Sequence, residues 1–300
     1  MKPTFELIDI TCRYGNKTAL QGFTLRGERG EVIAMLGGNG AGKTTALKVL
    51  LGLLKPTSGT ATVFGLRSET RSTEIRRRVG YISDEPALYD YMKVDEIGWF
   101  CAGFYEPGFV ERFQAKMDEF SVPRSQRIKT LSRGQRAKVS LGLALAHEPE
   151  LLVMDEPTSG LDPVVRRQFL ESMVDVAAQG TTVLLASHQV EEVERVADRV
   201  AIVRDGKLDV CEPVDDLKND VREVRITWAN GTTSLPASVT NCVVTRMDSN
   251  RQSRLFVRGL DDGITNQLSS AEHVSSIEVH SPSLEEIYLA CMNEPQGQAK

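Results

Sequence analysis

The run Leu36-Gly37-Gly38-Asn39-Gly40-Ala41-Gly42-Lys43-Thr44-Thr45 constrains this chain more than any other stretch, because it contains G-x-x-x-x-G-K-T. Glycines at this spacing let consecutive backbone N–H groups turn inward around an anion, since no Cβ blocks the dihedrals required. In such a loop the lysine reaches the β- and γ-phosphates of a nucleoside triphosphate, and the next hydroxyl holds Mg²⁺. The motif needs a strand before it and a helix after it, and both flanks are present. Val32 to Leu36 is an apolar run that reads as a buried strand, and Ala46, Leu47, Val49, Leu50, Leu53 and Leu54 recur at helical spacing. The stretch predicts a nucleoside triphosphate site, with Lys43 on the phosphates and Thr44 on the metal.

Two further strand ends point to the same edge of a sheet. Leu151-Leu152-Val153-Met154 is a buried parallel-type strand that ends in Asp155-Glu156. Open sheets of this class place ligands at the carboxyl ends of their strands. There Asp155 is expected to hold Mg²⁺, and Glu156 to accept the proton of an attacking water. Thr181 to Ala186 is a second such strand, with Ser187-His188 at its end. Val79 to Asp84 also reads as a strand, ending in polar residues.

Other stretches stay ambiguous when taken alone. Ser132 followed by Gln135 is a capping box, so Leu131-Ser132-Arg133-Gly134-Gln135 reads either as a well-capped helix start or as an anion site on that helix terminus. Tyr14, in a predicted loop, is either packing or a platform for a nucleotide base. Residues 85–105 concentrate aromatics, including Trp99, Phe100 and Tyr105, which taken alone read as core of a helical stretch. From about 94 to 146 the pattern is helical, an insertion between strands of a larger sheet. Beyond about 220 the pattern changes to short strands, with Asn230-Gly231 as a hairpin signal and helices near 263–271 and 283–292.

Composition removes several classes. A charge of −5 over 300 residues gives no basic footprint for nucleic acid. The cysteines, 5 in number, show no metal-type spacing and read as reduced thiols. No apolar run reaches the roughly 18 residues of a membrane span, so any membrane role is expected to act through a partner.

Together, Gly37 to Thr45, Leu131 to Gln135, Leu151 to Glu156, Ser159 to Asp162 and His188 resemble, in order and spacing, the motifs of the ATP-binding-cassette (ABC) ATPases. The resemblance covers about residues 4–215 and looks most like the ATP-binding subunits of bacterial exporters made from separate ATPase and membrane polypeptides. It implies an α/β P-loop NTPase fold: a RecA-like core sheet, an antiparallel β edge and a helical subdomain at about 90–148. The cassette is expected over 1–218, with a small accessory or regulatory α+β domain over 221–300. The resemblance also implies ATP and Mg²⁺ as cofactors and a head-to-tail homodimer or heterodimer. In that dimer Ser132, Gly134 and Gln135 face the opposite phosphate loop, Tyr14 stacks on adenine, His188 contacts the γ-phosphate and Asp162 communicates between protomers. The implied partner is an integral membrane permease subunit, which holds the ATPase on the cytoplasmic face of the membrane. The resemblance also implies that residues 85–105 flank a groove for a helix of the membrane subunit. Where Asp84 stands it implies a glutamine that touches Mg²⁺, so Asp84 is expected either to ligate Mg²⁺, a hard cation that accepts carboxylate oxygen, or to slow turnover as a third carboxylate beside ATP; Arg133 departs from the usual glycine. Arg133 is expected to be nearly neutral, or to add attraction for the opposing γ-phosphate. A ribosome- or DNA-directed ABC ATPase is the alternative, although one cassette without heptads argues against it.

Overall fold

Strands with no polar interruption set the architecture. In the computed structural model, which describes residues 2–229, 235, 237–240, 242–271 and 273–292, the chain divides into two units, Met1–Cys211 and Glu212–Lys300. In the first, β1 (Phe5–Tyr14), β2 (Lys17–Gly27), β3 (Val32–Leu36), α1 (Lys43–Leu50), β4 (Ser58–Val63), β5 (Leu66–Arg67), α2 (Ser68–Arg77) and β6 (Val79–Ile82) come before the helical insertion. That insertion contains α3 (Val94–Ala102), α4 (Phe109–Glu119) and α5 (Arg133–Leu145). The chain returns through β7 (Leu151–Asp155), α6 (Pro163–Ala178), β8 (Thr182–Ser187), α7 (Val190–Val196), β9 (Arg199–Arg204) and β10 (Lys207–Pro213).

β3, β7 and β8 are buried along their whole length and pair in parallel with their neighbours in a six-stranded sheet, ordered β10-β9-β3-β8-β7-β6. Parallel pairing covers both faces, which is why these strands are apolar throughout. A separate antiparallel sheet, β2-β1-β4-β5, shares a core with α1 that includes Phe5, Leu7, Phe23, Leu47 and Leu50. β1 and β2 stay paired right up to a two-residue turn. Tyr14 therefore closes β1, paired with Lys17 across the Gly15-Asn16 turn, instead of lying in a loop.

The second unit begins before α8 (Val214–Asp220), earlier than the expected limit at 218, and continues through β11 (Val221–Trp228), α9 (Ala237–Thr240), β12 (Val243–Ser249), β13 (Gln252–Arg258), α10 (Asp262–Ser269), β14 (Val274–His280) and α11 (Leu284–Met292). Its sheet order, β12-β13-β11-β14, is that of a split βαβ repeat. Val224, Ile226, Trp228, Leu255 and Leu268 fill its core, where Trp228 donates its indole N–H to Ser253 Oγ at 2.8 Å. Residues 237–240 form a helical turn, and β12 begins only at Val243. The Asn230-Gly231 signal lies outside the described residues.

Candidate nucleotide site

Gly37 to Thr45 join β3 to α1, as the motif requires. The glycines serve two different needs. A Cβ on Gly37 would meet the Val203 carbonyl oxygen at 2.5 Å, and one on Gly42 would meet that of Ala19 at 2.6 Å, so both are required by close packing. Gly38 and Gly40 face open space. Gly42, at φ 111°, is the N-cap of α1 and supplies no side-chain cap, so the first-turn N–H groups, those of Thr44 and Thr45 among them, remain available to an anion. Ala41 is buried and its carbonyl accepts from Gly206 N–H, while Asn39 is exposed. Lys43 is only 6% exposed, and its Nζ donates to Gly37 O at 2.6 Å and Gly38 O at 3.4 Å.

The same ammonium lies 3.1 Å from Glu156 Oε1, an ion pair without hydrogen-bond alignment. Glu156 sits at φ 49°, in left-handed space, a conformation that costs a non-glycine residue on the order of 1–3 kcal/mol. This turn at the end of β7 swings the carboxylate back towards Lys43 and His188. Glu156 Oε2 is 2.7 Å from His188 Nδ1 and accepts the His188 backbone N–H at 3.3 Å. Three elements thus meet on one carboxylate.

Asp155 is 2% exposed, and its Oδ1 has no hydrogen-bond partner. Burial pushes this carboxyl above the usual aspartate range, against the pull of the Thr44 hydroxyl; Glu156 and Asp84 push it further up and Lys43 draws it down. An orphaned buried oxygen beside a hydroxyl suits Mg²⁺, a hard cation commonly held by one or two carboxylates with substrate phosphates completing its shell. No group of three or more His, Cys, Asp or Glu forms a metal cage among the described residues. Asp84 is exposed beyond β6, and its charge reaches Asp155.

The model of the family described as ABC transporter matches residues 20–159. A solved ATP-binding subunit of an ABC transporter is 31% identical, with 72% of this chain aligned to 92% of that one at a TM-score of 0.67. The chain belongs to the ABC transporter ATP-binding family. An ABC transporter ATP-binding protein of Nostoc sp. is 36% identical over 71% of this chain, and the match spans 65% of that relative, just short of two thirds of its length. The linearmycin resistance ATP-binding protein LnrL of Bacillus subtilis is 29% identical over 92% of this chain and 82% of its own.

The other motif residues of this ABC chain have local partners of their own. Ser132 caps α5: its Oγ accepts from Gln135 N–H at 3.2 Å, while its own N–H donates to Gln135 Oε1 at 3.0 Å. Gly134 is buried against Val165 of α6. Asp162 caps α6, accepting from the N–H groups of Val164 and Val165 at 3.0 and 3.1 Å. Tyr14 is 51% exposed and free to receive a planar ligand. Arg133 lays its guanidinium against Gly160, where an added Cβ would meet it at 2.3 Å. The sequence reading had not connected these two positions.

Thr158 and Glu192, both buried, and the half-buried Arg166 form a set with no local signal in the sequence. Each looks ordinary in sequence, a loop threonine and two charged helix residues, and only the approach of α6 to α7 brings them together. The aromatics of 85–105 divide. Tyr105 stacks on Phe109 and His147 inside the helical insertion. Tyr89, Tyr91, Phe100 and Phe104 form a chain of ring contacts, and all four are exposed, as is Trp99 at 74%.

Proposed function

We propose that this chain is the ATP-hydrolysing subunit of an ABC transporter, working through a separate membrane polypeptide and in the export direction. The observation that carries the reading is the meeting of Lys43, Glu156 and His188 on one carboxylate beside a buried Asp155. ATP phosphates would draw Lys43 into the glycine cradle and release Glu156 to orient a water and accept its proton, with His188 next to it. Thr44 and Asp155 would hold Mg²⁺, which neutralises charge on the β- and γ-phosphates, and Asp84 is placed to add charge to that shell. Phosphoryl transfer to water depends mostly on such positioning and charge stabilisation.

Ser132, Gln135 and Asp162 spend side-chain hydrogen bonds on helix caps and Gly134 packs on Val165, and among the described residues none of these contacts is to the phosphate loop of the same chain. This arrangement supports a sandwich in which they face a second protomer, identical or paralogous. Tyr14 would receive the adenine. The exposed rings of 89–104 suit a membrane-subunit helix, since a contiguous apolar patch marks a contact surface. No helix among the described residues is long and apolar enough to cross a membrane, consistent with attachment through a permease. Export is supported by a relative named for resistance to an antibiotic.

The test is recovery of the chain from detergent-solubilised cells in MgATP, followed by identification of what accompanies it. A multi-span membrane protein is expected at stoichiometric yield. It should be lost with Trp99→Ser while ATP hydrolysis by the isolated chain stays within about twofold of wild type, as surface changes away from a site usually do. Ribosomal or DNA-repair partners without a membrane protein would overturn the transport reading.

A further inference from the structure

The segment after Glu156 is fastened to α7, the helix that follows His188, through a buried carboxylate. Glu192, in the first turn of α7, is 3% exposed. One of its oxygens accepts the Thr158 hydroxyl at 2.6 Å, and the other lies 3.1 Å from Arg166 Nε. Arg166, on α6, also donates from Nη2 to the Leu161 carbonyl at 3.4 Å. One carboxylate therefore holds both ends of the segment, Thr158 directly and Leu161 by way of Arg166. The residue that follows Leu161 is Asp162, the cap of α6.

Burying a carboxylate is costly even with a half-buried guanidinium beside it, so the presence of Glu192 here is better explained by position. Thr158 and Arg166 touch Glu192, and the charges of Glu156 and His188 also act on it. We infer that Glu192 is a positioning residue that locks the Thr158–Leu161 segment to α7, so that Asp162 and His188 move as one body. The inference rests on the ATPase reading for its functional meaning, and on the Thr158–Glu192 and Arg166–Leu161 hydrogen bonds with the Arg166–Glu192 ion pair for its mechanical one.

Thr158→Val keeps the shape of the side chain and removes the hydroxyl; Glu192→Gln keeps an acceptor and removes the charge facing Arg166. Both are compared with Thr158→Ser, which retains the bond. Amide hydrogen exchange reads the mechanical part. Thr158→Val and Glu192→Gln should each speed exchange in residues 157–162 and in 188–193 together, leave α1 unchanged, and Thr158→Ser should match wild type. In steady-state hydrolysis, kcat should fall by about tenfold to a hundredfold with KM little changed, the scale expected of a small misplacement of reacting groups. Faster exchange confined to one of the two segments, or wild-type exchange in both, would overturn the lock. A wild-type chain that hydrolyses no ATP would instead overturn the ATPase reading, and the exchange result would still decide the lock.

Discussion

Glu156→Gln is expected to leave MgATP bound and almost unhydrolysed. The side chain keeps its length and one acceptor oxygen, so the left-handed turn at residue 156 and the contact to His188 Nδ1 have no steric reason to change. What disappears is the ability to take a proton from water. Loss of a positioned general base costs about 10²- to 10⁴-fold in rate. The Lys43 ammonium also loses the charge 3.1 Å away and is held only by the Gly37 and Gly38 carbonyls, so it is freer to meet phosphate. Affinity for MgATP should equal or exceed that of wild type. Equilibrium binding and single-turnover hydrolysis check the two halves separately, and size-exclusion chromatography in MgATP should show accumulated dimer. A variant that retains more than about a tenth of the wild-type rate would remove Glu156 from the role of base.

How much of this was visible in the chain itself depended on whether chemistry was local. The phosphate loop, the buried strands β3, β7 and β8 and the carboxylates after β7 are encoded within a few consecutive residues, so periodicity and spacing were enough to place them. The Glu192 set was not legible, because Glu191-Glu192-Val193-Glu194 reads as a solvated helix face until α6 is packed beside it. Arg133 against Gly160 was hidden for the same reason: its partner is set by tertiary approach. Strand ends were misjudged where a tight turn prolongs pairing. Tyr14 and Lys17 stay in register across Gly15-Asn16, which put the tyrosine on a strand end. The exposure of Trp99 is likewise a property of the packed helical insertion, since the stretch taken alone read as core.

Asp155→Asn should separate stability from function and reverse its sign when ligand is added. In the metal-free protein, burial raises the native carboxyl above its unfolded value, and the nearby carboxylates of Glu156 and Asp84 add to this. A carboxyl raised in this way favours the fold while protonated in both states, and that contribution is lost as pH climbs through the native value. Above that value wild type keeps a buried charge that Lys43 and Thr44 only partly offset. Asparagine does not titrate and fills the same space. In chelator, the two proteins should melt alike at low pH. Asp155→Asn should then gain as pH rises through the raised value and level off beyond it, each 1 kcal/mol appearing as about 2–4 °C for a fold of this size. With MgATP at about a hundredfold over Kd, wild type gains about 2.7 kcal/mol by mass action, whereas the variant lacks the anionic oxygen for Mg²⁺ and gains less. The melting order should therefore invert, with hydrolysis lower by at least about 10²-fold for want of Mg²⁺ charge stabilisation. Melting curves over pH, with and without MgATP, check this directly. Equal MgATP shifts in the two proteins would show that Asp155 does not hold the metal, and a variant less stable than wild type at neutral pH in chelator would show that its charge is fully compensated in the fold.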